Sequence, residues 1–232
     1  GAGEHSYVGQ PTGNAGYRVV NTLLAGGARV GRLTTQVEAV GQQFSSGAFV
    51  ITDASRQDVA AIARETGVSF FALDHTLKGE TTPVRTPRIG LYRRYWSGNM
   101  DEGWTRLVLE QLGFSYEPLW DKAIITGDLN TAYDVIILPD DSTDMIVGGD
   151  KEIEKRLQNS PVPESYRSGI GDEGVNNIRT FVETGGTLIA ISGACAFVIE
   201  KLGLQITDVV AGKPRKEFFC PGCTLRVQVD TT

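Results

Sequence analysis

The stretch "YDVIILPD", residues 133–140, holds four consecutive large aliphatic residues, Val135 to Leu138, between a Tyr-Asp pair and a Pro-Asp pair. A run of that length without polar alternation predicts a strand buried on both faces, since a strand with one wet face would alternate. Outward from it, "RIGLY" (88–92), "SYEPLW" (115–120) and "TLIAIS" (187–192) read as further strands. Between them lie helical patterns: "MDEGWTRLVLEQLG" (100–113), "GVNNIRTFVETGG" (174–186) and "ACAFVIEKLG" (194–203). In the first of these, Trp104, Leu107, Val108 and Leu112 recur at helical spacing and predict the inward face. Strand and helix in this rhythm predict a parallel sheet with helices on both sides, because right-handed crossovers place them there. "RIGLY", "YDVIILPD" and "TLIAIS" are expected as neighbouring interior strands, the last launched by Gly185 and Gly186.

Before residue 86 the pattern is different. "NAGYRVVNTLLAGG" (14–27) reads as a helix capped by Asn14 and stopped by Gly26 and Gly27, with Val19, Val20, Leu23 and Leu24 on one face. "ARVGRLTT", "GAFVITD" and "VSFFALD" read as strands, and "SRQDVAAIARETG" as a helix capped by Ser55. "TTPVRTP" (81–87) is extended and proline-bearing, which suits a linker. The expected organisation is a small α/β unit over 1–86 followed by the regular α/β domain over 87–232.

With 232 residues, 41% hydrophobic and 22% charged, the chain is large enough for one big core or two small ones. Its 22 Lys+Arg against 28 Asp+Glu, a formal charge of −6 with no basic stripe, disfavour nucleic acid and anionic membrane as partners. No apolar stretch approaches the roughly 20 residues of a spanning helix. The first residues lack the regions of a signal peptide, so export is not legible, and a leader or a domain upstream is compatible with them. Three cysteines are too few for a disulfide framework. Cys220 and Cys223 form a CxxC, but Pro-Gly between them and the strand-like residues after them indicate a turn pair rather than a redox centre at a helix N-terminus.

The stretch "RIGLYRRYWSGNMDEGWTRLVLEQLGF" with "YDVIILPD", "VETGGTLIAIS" and "FVIEKLGL" resembles the amidotransferase-like domain that follows the peptidase domain in a group of bacterial zinc carboxypeptidase-like proteins. The resemblance covers 88–230, and the earlier residues resemble the connecting region of those proteins. It implies a flavodoxin-like sheet of the class I glutamine amidotransferase type, running on past the C-terminus, in a periplasmic or secreted metallopeptidase whose peptidase domain is this chain's partner. Zinc is expected only in that absent peptidase domain. The His-x-x-Glu pair of such a site is missing here, because neither His5 nor His75 has a glutamate three residues on. No cofactor is expected in this chain.

Cys195, in "ISGACAF", is the candidate nucleophile. Amidotransferases of this class carry their cysteine on a strained strand-to-helix turn, with backbone amides for the oxyanion and a His-x-Glu pair as base. Gly193 and Ala194 suit such an elbow, but no histidine follows Cys195. A semi-buried small residue is the favoured reading. A second constellation lies at the carboxyl ends of the expected strands, where open α/β sheets bind ligands. Ser97, Asn99, Asp101 and Glu102 follow "RIGLY", Asp140 and Asp141 follow "YDVIIL", and Ser192 follows "TLIAI". Such a crevice favours a small polar or cationic ligand. The bland alternative has Asp101 capping its helix and Asp140 the turn after it. "GIGDEG" (169–174) lacks a phosphate-loop pattern, and its two carboxylates repel anions. Two functions follow: a non-catalytic accessory module that binds a ligand or packs on the peptidase domain, or a Cys195-dependent amidohydrolase or amidotransferase.

Overall fold

The computed structural model describes residues 6–10, 13–74, 77, 81–96, 98–149, 151–159, 162–163, 166–167, 169–220, 222 and 226–228. The first unit is an antiparallel sheet of β1 (Ser6–Gly9), β2 (Arg29–Leu33), β5 (Phe49–Thr52), β6 (Phe71–Leu73) and β7 (Thr81–Val84), in the order β6-β1-β5-β2-β7. A hairpin of β3 (Val37–Ala39) and β4 (Gln42–Phe44) stands beside it. Alternate residues point to opposite faces. Tyr7, Val30, Phe49 and Ile51 meet the helices α1 (Asn14–Ala25) and α2 (Arg56–Thr66), whereas Val8, Leu33 and Val50 meet Phe44 of the hairpin.

Two local expectations are corrected here. Gly13, not Asn14, is the N-cap of α1, and no side chain caps it. Ser55 does cap α2, accepting the Asp58 N–H at 3.1 Å. The supposed linker begins as strand β7, whose Pro83 faces Gly31 of β2. Proline is tolerated there because β7 is an edge strand and needs no outward N–H.

The second unit is a four-stranded parallel sheet of β8 (Ile89–Tyr92), β9 (Tyr116–Leu119), β10 (Val135–Leu138) and β11 (Thr187–Ala190), in the order β11-β10-β8-β9. Its main core lies on one face, where Tyr92, Ile136 and Leu138 meet α4 (Asp121–Thr126), α5 (Leu129–Ala132), α6 (Thr143–Val147), α8 (Gly171–Glu183) and α9 (Ala194–Leu202). A further helix, α7 (Lys151–Asn159), follows α6. On the other face Ile89, Leu91 and Ile137 pack against Leu109 of a single helix, α3 (Met100–Gln111). The double burial of β10 is as its aliphatic run demands.

Among the described residues "TLIAIS" is not an interior strand. β11 is the sheet edge, and although Leu188 and Ala190 lie against the main core, Ile189 and Ile191 are 43% and 40% exposed. α3 covers the β8 side of that face and leaves the β11 side open. α3 itself is also turned from the expected orientation. It buries Glu102 and packs Leu109 inward, while Trp104, Leu107 and Val108 face solvent at 62%, 39% and 51% exposure. Gly186 launches β11 as expected, and for a packing reason: a Cβ there would lie 2.4 Å from the Phe181 ring.

Candidate functional site

The carboxyl ends of the four parallel strands converge on one rim. β8 delivers Arg93, Arg94 and Tyr95, β9 delivers Trp120 and Asp121, β10 delivers Asp140 and Asp141, and β11 delivers Ser192 and Gly193. Asn99, Asp140 and Asp141 are brought together as the strand-end reading expects. Asn99 Nδ2 donates to the Asp140 carbonyl at 3.0 Å and to Asp141 Oδ2 at 3.2 Å. Its Oδ1 accepts the Asp101 and Glu102 N–H groups at 2.9 and 3.3 Å, so Asn99, not Asp101, caps α3. Asp101 is exposed on the first turn and Glu102 is buried beneath the helix. Ser97, His5, His75 and Cys223 lie outside the described residues.

The expected preference for a cation is met from within the chain. Arg94 inserts its guanidinium among these groups, its Nε 2.6 Å from Asp141 Oδ2 and its Nη1 donating to the Trp96 carbonyl. Both side chains of the pair are at least nine-tenths buried. At this distance from water the ion pair compensates the Asp141 charge from within the chain. Arg94 was missed in the sequence, where it reads as one of two arginines after an apolar strand. The signal available was its position directly past a strand end, opposite two aspartates of the neighbouring strand.

The strand-to-helix turn is similarly closed. The residue with the left-handed backbone is Ser192, at φ 52°, rather than Cys195. Cys195 sits in the first turn of α9, exposed rather than semi-buried, with its thiol donating to the Ala190 carbonyl at 3.4 Å. The amides that an oxyanion would need are already engaged. Asp140 Oδ1 accepts the Gly193 N–H at 2.8 Å, and the Cys195 and Ala196 amides bond to Ser192 O and Gly193 O. Asp140 therefore tethers the β11–α9 turn, not the turn after its own strand. That turn is held by Asp141 Oδ1, which accepts the Ser142 N–H, and by Ser142, which caps α6. Gly193 is needed for this arrangement, since a Cβ would fall 2.7 Å from Asp140 Oδ1.

Beside this network lies a buried pair. The Tyr92 hydroxyl donates to Asp121 Oδ1 at 2.7 Å, and the Gly169 N–H reaches Asp121 Oδ2 at 3.2 Å. Burial raises the Asp121 carboxyl above its ordinary range, against the opposing hydrogen bonds from Tyr92 and Gly169. Burial and the neighbouring Asp121 charge also raise the Tyr92 phenol, which stays protonated as donor. Farther along the rim Tyr95 stacks on Trp120 at 4.1 Å, Tyr166 meets Tyr95 edge-on at 5.6 Å, and the Arg93 guanidinium lies 5.0 Å from the Trp120 ring. A groove of about 460 Å³ adjoins them, with Lys122, Leu129 and Tyr133 in its wall. Among the described residues no three His, Cys, Asp or Glu side chains converge as metal ligands, and no helix is long and apolar enough to cross a membrane.

No family model matches the chain, and no curated protein is significantly similar to it.

Proposed function

We propose that this chain is a non-catalytic accessory module, carried beside the peptidase domain of a zinc carboxypeptidase-like protein. Its second unit is read as a flavodoxin-like domain of the class I glutamine amidotransferase type, a reading supported by the strand order β9-β8-β10-β11, with the first strand of the unit inside and the second at an edge. One observation carries the non-catalytic assignment: the Asp140 carboxylate occupies the Gly193 N–H at the strand-to-helix turn. An anion fixed at that amide repels the developing oxyanion of any acyl transfer at the turn, and a donor already bonded offers it nothing. The Arg94–Asp141 pair acts the same way on a cationic ligand, since a second cation would have to displace a buried guanidinium. What remains for partners is surface, namely the aromatic rim of Tyr95, Trp120 and Tyr166.

The competing reading, an amidohydrolase using Cys195, draws on the exposure of that thiol. Hydrolysis of glutamine and of chromogenic amides by the wild type, Cys195→Ala and Asp140→Ala separates the two. The expected result is no turnover above background in any of the three. Turnover by the wild type that disappears in Cys195→Ala would establish the enzyme instead.

A further inference from the structure

The most conspicuous unpartnered surface is the outward stripe of α3. Met100, Trp104, Leu107 and Val108, spaced at i, i+4, i+7 and i+8, form one apolar stripe, with Met100 and Trp104 the most exposed at 80% and 62%. Beside α3 the sheet shows Ile189 and Ile191. Apolar patches of this kind mark contact surfaces. The same molecule carries a second exposed apolar stretch. After α9 ends at Leu202, the chain from Leu204 to Cys220 forms no helix or strand, and Leu204, Ile206, Val209, Phe218 and Phe219 are all exposed.

We infer that residues 204–220 form a strap that closes around the open β11 edge and docks its basic-aromatic part, Lys213 to Phe219, on the outward stripe of α3. Charge selects this occupant. α3 presents two exposed carboxylates, Asp101 and Glu110, near the two ends of the stripe, against one partly buried cation, Arg106; Glu110 also accepts the Tyr116 hydroxyl at 2.6 Å. The strap sets Lys213, Arg215 and Lys216 beside Phe218 and Phe219, with Arg215 already lying 4.2 Å from the Phe219 ring. A second copy fits worse, because antiparallel pairing of two α3 helices would bring Asp101 of each against Glu110 of the other. Reach is sufficient. Ten to sixteen residues separate Gly203 from the docking residues, a fully extended span of roughly 33 to 53 Å, whereas four strands are only about 14 Å across. Tethering also makes the contact intramolecular, with the effective concentration of a short linker.

Hydroxyl-radical footprinting of the full chain reads the side chains directly. The expected result is that Trp104, Phe218 and Phe219 are protected together. Protection of Trp104 should be lost several-fold in the full-length triple variant Lys213→Glu/Arg215→Glu/Lys216→Glu and weakened by salt. A chain ending at Gly203 should expose Trp104 to the same degree, and it should fold because, among the described residues, no buried cluster includes one after Leu202. Trp104 reacting equally in the wild type and both variants overturns the proposal. So does protection that appears only with protein concentration alongside a sedimenting dimer, which would assign the stripe to a second copy. Neither outcome touches the accessory-module reading, which the amide hydrolysis assay tests separately.

Discussion

Arg94 and Asp140 decide what the strand-end rim can do, and each acts by occupying a vacancy. A carboxylate at the Gly193 amide and a guanidinium against Asp141 leave that amide bonded and the Asp141 charge paired. Asn99 holds the two halves together, since one amide group both caps α3 and ties it to β10. Its neighbour Asp101 has no such double attachment and contributes only a favourable charge on the first turn. Asn99→Ala should therefore cost about 1–3 kcal/mol, adding a lost cap to lost buried hydrogen bonds. Asp101→Ala should cost less than about 1 kcal/mol. Urea unfolding of the two variants checks this; equal losses would return the cap to Asp101.

Among elements, the contrast between β10 and β11 is the informative one. The two strands pair in parallel register, Ile137 opposite Ile189, yet Ile137 lies under the α3 side of the sheet and Ile189 faces solvent. Local sequence hardly distinguishes them, as "VIIL" and "LIAI" are both short aliphatic runs. What distinguishes them is whether another strand lies beyond. Ile137→Ala should cost about 2–5 kcal/mol, the usual range for a large-to-small change in a core. Ile189→Ala should stay near 0.5 kcal/mol or below, as surface changes do. Chemical denaturation of both variants reads the difference directly. A loss at Ile189 as large as at Ile137 would mean that this face of β11 is covered by a partner in solution.

At the scale of the whole molecule, the two units keep separate cores and meet through a few polar contacts. Asn21 of α1 donates to the Leu112 carbonyl at the end of α3. Asp134, just before β10, gathers the connecting segment: it accepts the Arg88 amide and guanidinium at 2.9 Å each and Arg85 at 3.3 Å. The Arg88 hydrogen bonds hold the Asp134 carboxyl well below the usual carboxylate range. A depressed acid stabilises the fold above its unfolded pKa and loses that contribution as pH falls through the folded value. Asp121, raised by burial, acts with the opposite sign: its contribution is present at low pH and lost as pH rises through its raised value. Acid unfolding should thus follow Asp134. Asp134→Asn should lower the melting temperature at neutral pH; the difference should begin to shrink as pH falls below the ordinary carboxylate pKa of about 3.9 and should close only as pH falls through the depressed folded value. A difference that persists unchanged into acid would rule out the ion pair as its cause.

Much of the second unit was legible in one dimension because burial writes itself into short-range pattern. An aliphatic run such as Val135–Leu138 has no stable place except between two layers, and the alternation of such runs with helices admits few topologies. Local turn chemistry was readable in the same way at Ser55 and at Gly185–Gly186. The first unit was less so, because its β3–β4 hairpin and β7 are short strands whose pairing is set by distant neighbours. Which apolar stripe faces in was not legible either. Trp104, Leu107 and Val108 have the spacing of a buried face, but a helix turns toward whatever layer the fold supplies, and here Leu109 met it. The chemistry of the rim was the least legible of all. The sequence by itself placed Asn99, Asp140, Asp141 and Cys195 at strand ends, and only the tertiary structure decided that Arg94 and Asp140 would fill the charges and amides there. Electrostatic vacancy depends on groups some fifty residues apart, and nothing along the chain records which of them will arrive.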